Sequence, residues 1–167
     1  MVRAVIIVFL ALIAAGSKEY PGDYNLFFID RNRNPDVIMY DINLDSQGKL
    51  DATKPISIYW NRKNNNDQTD ALTGIQNKFG YGLKFQRISE YSADFKFVSY
   101  FNRSFELRKS GNDKYRVYTY SDGKKVEVQN MYIHFENDSF WFPAITKIEL
   151  IGIEPNKGSQ VKEIIIP

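Results

Sequence analysis

From Tyr24 onward the chain is governed by a period of two. Apolar and polar side chains alternate over short runs that Gly, Asn, Asp and Pro interrupt, the pattern of half-buried β-strands joined by turns. The spacing predicts strands over 24–30, 37–43, 55–60, 83–88, 95–100, 104–109, 114–120, 125–136, 146–153 and 161–166. In the longest of these the apolar phase slips, from Val126 and Val128 to Met131, Ile133 and Phe135. One extra residue near Gln129 or Asn130 would produce that slip, because a β-bulge moves the following side chains to the other face.

One segment follows a different period. After a polar, asparagine-rich stretch over 61–70, read as a mobile loop, Leu72, Ile75 and Phe79 recur at helical spacing. They predict a short α-helix over about 71–79, with Asp70 as its N-cap and Gly80 as its stop. Many short strands with one helix indicate a mostly β fold, an antiparallel β-sandwich or barrel-like single domain.

The first residues are of another kind. Arg3 precedes an apolar run from Ala4 to Ala15, and small residues follow it. The run falls short of the roughly 20 residues a membrane-spanning helix needs and has the layout of a cleavable signal peptide. The expected organisation is a signal peptide over 1–16 and one β-rich domain over 17–167, periplasmic or secreted, with no transmembrane span in the mature chain. A buried N-terminal strand and a retained anchor are the alternatives.

Charge and composition narrow the chemistry. Lys and Arg number 22 against 20 Asp and Glu, which gives no electrostatic case for a nucleic-acid partner. With no cysteine, disulfides, thiol nucleophiles and thiolate metal sites are excluded, and one histidine excludes a multi-histidine centre. Neither a nucleophile elbow nor a phosphate-binding glycine loop occurs, and no cofactor is implied. Asp41, Asn43 and Asp45 begin like a calcium loop, but Ser46 and Ala52 stand where glycine and a bidentate glutamate are required, so a strand end and turn is the favoured reading.

His134 alternates with Tyr132 and Glu136 on one strand face. Ordinary strand-face structure is the first reading, and a general base oriented by Glu136 is the sharper one. Aromatic residues are abundant, with 12 Phe, 11 Tyr and 2 Trp. Tyr59, Tyr100, Tyr118, Tyr120 and Tyr132 fall on the less apolar strand faces, where they either pair across strands or stack on a flat ligand such as a sugar. Trp60 and Trp141 are read the same way.

Phe28-Ile-Asp-Arg-Asn-Arg-Asn34, Val37-Ile-Met-Tyr40 and Pro55-Ile-Ser-Ile-Tyr-Trp60 resemble the opening of the DUF4833 family of uncharacterised domains. Phe79-Gly-Tyr-Gly82 is similar to its middle motif, and Lys147-Ile-Glu-Leu-Ile-Gly152 with Gly158-Ser-Gln-Val-Lys-Glu163 to its closing strands. The resemblance implies an exported domain and singles out Arg31, Asn34, Tyr40, Trp60, Tyr81 and Gly82. With Tyr132 and His134, the polar and aromatic members of that set are the candidate ligand-binding residues; no catalytic or metal-ligating residue stands out. The favoured function is a module that binds an unidentified ligand or protein of the cell envelope, carbohydrate among the candidates. A carboxylate-dependent, glycosidase-like hydrolase using residues such as Asp30, Asp41, Asp45 or Glu136 and a structural subunit of a surface assembly are the alternatives.

Overall fold

The computed structural model describes residues 24–111, 113–136 and 144–167. The predicted signal peptide and Trp141 lie outside the described residues.

Eleven strands form one hydrogen-bonded network: β1 (Asn25–Arg31), β2 (Val37–Ile42), β3 (Ile56–Arg62), β4 (Gln68–Ala71), β5 (Leu83–Ile88), β6 (Ser92–Phe97), β7 (Tyr100–Lys109), β8 (Tyr115–Ser121), β9 (Lys124–Phe135), β10 (Ile145–Glu154) and β11 (Ser159–Ile165). Among the described residues a single short α-helix, α1 (Gly74–Phe79), stands between β4 and β5. The protein is mostly β with one short helix. Among the described residues no helix is long and apolar enough to cross a membrane.

The predicted slip in the longest strand organises the sheet. Along β9, Asn130 pairs with Ile151 and Val128 with Gly152, so Gln129 is the extra, unpaired residue. Val126, Val128, Met131 and Ile133 are all buried as a result, although their spacing breaks the alternation. Opposite the bulge the strands approach so closely that a Cβ at Gly152 would collide with the Glu127 carbonyl oxygen and Val126 Cγ1. β10 follows one edge of β9 from Glu127 to Phe135. The other edge is shared: residues 124–127 pair antiparallel with β8, and residues 130–133 pair parallel with β1. The bulge is thus the fork from which two wings leave, β1-β2-β3-β4 and β8-β7-β6-β5. The parallel β1–β9 pairing corrects the expectation of a purely antiparallel fold. Strand alternation reports which face is buried but not which distant strand lies alongside.

The wings curl towards each other as a half-barrel and bury their facing side chains. Phe27 and Tyr40 of the first wing stack at 4.4 Å, and both meet the edge of Phe97 from the second, at 6.2 and 5.8 Å. Phe97 in turn meets Phe95 and Phe105. Burying each such ring is worth roughly 1.5–3 kcal/mol, which stands in for the absent disulfides. At the far ends, Leu50 N–H donates to the Glu90 carbonyl at 2.8 Å and the Tyr40 hydroxyl to the Tyr81 carbonyl at 2.8 Å. The β8–β9 hairpin turns through Asp122 and Gly123, both at positive φ, as a two-residue turn of matching twist requires.

Two local expectations are corrected. The stretch over 61–70 is structured: a 3-10 turn (Lys63–Asn65) leads into β4, which pairs with β3. Asp70 therefore binds Arg62 at 2.8 Å instead of capping the helix. The cap is Thr73, whose hydroxyl accepts from Gln76 N–H while the Gln76 side chain accepts from Thr73 N–H, a reciprocal capping box. α1 also buries no residue; Ile75 is 72% and Phe79 65% exposed. Its apolar stripe faces a cavity, which periodicity cannot distinguish from a core.

Candidate functional site

Between the wings, β9–β11 and α1 lies a cavity of about 460 Å³. Ile29, Phe97, Phe105, Met131, Ile133 and Ile148 form apolar walls, and Ile75 and Phe79 of α1 stand at its exposed side. The bulge sets up this lining, because it turns Met131 and Ile133 towards the concave face that Val126 and Val128 occupy earlier in β9. The described lining includes three arginines, Arg31, Arg33 and Arg103, and no Asp or Glu.

The three arginines differ. Arg103 makes a two-pronged ion pair with Glu163 of β11. Arg33 donates to the Glu136 carbonyl at 3.2 Å and lies over the Phe135 ring. Arg31 ends β1 beside Trp60, its guanidinium carbon 4.3 Å from the indole centroid. It donates to the Tyr81 hydroxyl at 3.3 Å and to the Asn34 side chain at 2.7 Å. Among the described residues it has no ion pair, and its Nε–H is buried without an acceptor.

The platform under Arg31 is rigid. Trp60 is 2% exposed, donates from its indole nitrogen to Gln76 at 3.1 Å and meets the edge of Tyr81 at 5.7 Å. A second cation, Arg62, also lies over Trp60 at 4.9 Å, but Asp36 and Asp70 neutralise it at 2.9 and 2.8 Å. Gln76 thus ties the helix cap to the tryptophan, and Gly82 lets the chain leave α1 where a side chain would strike the Asn77 carbonyl.

Five of the seven candidate residues therefore converge: Arg31, Asn34, Tyr40, Trp60 and Tyr81. Arg31 and Tyr81 line the cavity. Trp60 and the fully buried Tyr40 support them, and burial holds the Tyr40 phenol well above the ordinary tyrosine pKa. Tyr132 and His134 lie elsewhere, on the opposite face of β9, with rings 4.7 Å apart. There His134 Nε2 is 3.0 Å from Glu149 of β10, the group that orients it in place of the expected Glu136. Lys162 at 2.7 Å and Lys147 at 2.9 Å, with a smaller contribution from His134, hold the Glu149 carboxyl down to about 2.

The remaining candidates are engaged in turns and pairings. Asp41 accepts from Tyr59 at 2.6 Å and Asn25 at 2.9 Å, and Asp45 accepts from Gln47 and Lys49 N–H within its turn. Among the described residues no cluster of acidic or histidine side chains could hold a metal ion. Tyr100 lines the cavity, whereas Tyr118 packs under Lys125 and Tyr120 is exposed on β8. Sequence reasoning missed Arg103, Phe97, Phe105 and the β10–β11 isoleucines as cavity residues. Only their period-two alternation was visible, and it marks core and cavity walls alike.

The fold and site define a class: a curled β-sheet protein with an apolar cavity edged by arginine. The family model for a domain of unknown function, DUF4833, matches residues 27–164, and the chain belongs to that family. No curated protein and no solved structure matches the chain.

Proposed function

We propose that this chain is an exported, non-enzymatic binding module whose barrel-like sheet holds a small apolar or amphiphilic molecule between its wings. The observation that carries the reading is the cavity of about 460 Å³, within the roughly 300–1,000 Å³ of small-molecule sites and walled mainly by apolar side chains. Polar groups on the lining, Arg31 and Tyr81, with Asn34 holding Arg31 from behind, match the way such sites orient a ligand. The hydrolase alternative lacks support here, since no described lining residue is an Asp or Glu that could serve as acid or base. The surface-subunit alternative draws on β4, β5 and β11, each of which pairs with only one described strand and leaves an edge for another chain.

A neutral dye that fluoresces in apolar surroundings, N-phenyl-1-naphthylamine, tests the proposal on the purified protein. Saturable one-site binding is expected, weakened at least tenfold in Ile148→Trp, which fills the cavity from its wall, or in Ile145→Trp if the first variant melts early. A folded wild-type protein that leaves the dye dark would end this reading.

A further inference from the structure

Resting on the reading of the cavity as a ligand site, we infer that its ligand is a single-chain amphiphile with an anionic head, carboxylate or phosphate, bound by Arg31. The side-chain charge on the lining is one-sided: three arginines and no Asp or Glu among the described lining residues. Arg103 has its counter-ion in Glu163, and the other arginine on Trp60, Arg62, has two in Asp36 and Asp70. Arg31 has none among the described residues, and its buried Nε–H points to no acceptor. Burying a guanidinium donor without a partner is costly. A guanidinium offers its donors as a planar fork that fits two oxygens of one carboxylate or phosphate.

The fork is already in place. Trp60 lies against its face at 4.3 Å, Tyr81 and Asn34 each take one donor, and Trp60 is itself tethered to Gln76. A pre-positioned group loses little freedom on binding. Beyond Arg31 the apolar walls of Ile29, Phe105 and Ile148 continue along the cavity. The volume, near the lower end of the small-molecule range, suits one alkyl chain rather than two. The outer-face cations Lys147 and Lys162 are not a competing anion site, because Glu149 already occupies them.

Displacement of the neutral dye by dodecanoate, dodecyl phosphate and dodecanol tests the inference on the purified protein. At least one anion should bind about tenfold or more tighter than the alcohol, as a charge-assisted hydrogen bond predicts. Preference for dodecanoate identifies a fatty-acid-like head and preference for dodecyl phosphate a phosphate head; either supports the inference. Arg31→Gln should erase the preference, and Arg31→Lys should retain part of it. If dodecanol competes as well as both anions, the anionic head is wrong and the apolar cavity reading stands. If the preference survives in Arg31→Gln, Arg31 is not its source. Failure of the dye and all three compounds to bind would remove both readings together.

Discussion

The two faces of β9 treat charge in opposite ways. On the outer face a single carboxylate, Glu149, gathers Lys147, Lys162 and His134 within 3.0 Å. On the concave side the arginine at the cavity rim stacks on an indole and meets no carboxylate among the described residues. Both arrangements border the same strand: Arg31 pairs with Ile133 of β9 from β1, and Glu149 pairs with Tyr132 from β10. Surface charges that meet water are compensated locally and contribute little individually. An uncompensated charge beside apolar walls is a cost to folding that only a bound anion would offset, which is why the concave face, not the outer one, is the place to look for a ligand.

The frame shared by both faces is the most fragile point. Gly152→Val would force a branched side chain into the Glu127 carbonyl across from the bulge, and a loss of about 3 kcal/mol or more is expected in urea unfolding. Dye binding and the low Glu149 pKa should disappear together. A variant that keeps one without the other would mean the bulge does not set both faces.

Trp60→Ala separates them. Removing a ring that is 2% exposed should cost about 3–5 kcal/mol and leave Arg31 without its platform. Carbon-detected NMR of the still-folded fraction should show Glu149 titrating as before, and an altered Glu149 pKa would refute the independence of the two sites.

Arg31→Met should change stability by only about 1 kcal/mol or less, because the lost indole contact is offset by relief of a buried, unpartnered donor. Thermal melting decides this. A drop comparable with that of Trp60→Ala would mean that Arg31 is a structural strut.

The smallest effect lies on the outer face. With its pKa lowered to about 2, Glu149 contributes stability that is complete above the ordinary carboxylate range and is lost as pH falls from about 4.5 through 2. Lys162→Met should move its titration upward towards the usual value, with no detectable change in melting at pH 7. An unmoved titration would assign the shift to other neighbours.

Local physics was legible along the chain. The slip between Val128 and Met131 located the bulge to Gln129 or Asn130, and Asp122-Gly123 located a hairpin turn, because side-chain alternation and positive φ are properties of adjacent residues. β4 was hidden, since Gln68, Thr69 and Asp70 form an exposed edge strand and carry no apolar alternation to betray it. The helix cap was displaced for the same reason: once Asp70 pairs with Arg62, the first free capping group is Thr73.

By itself the sequence determined a cysteine-free, mostly β chain with one short helix, its strand faces and its bulge. The family resemblance also singled out Arg31, Asn34, Tyr40, Trp60, Tyr81 and Gly82, and the strand faces added Tyr132 and His134, which lie apart on the other face of β9. Only the tertiary structure decided that both wings leave one edge of β9, that β1 lies parallel to it, and that Arg31 settles on Trp60 with no counter-ion among the described residues while Arg62 takes two. Alternation encodes burial, which each strand carries within itself. Which strands become neighbours, and which charges find partners, depends on closing loops of tens of residues, and no local pattern records that outcome.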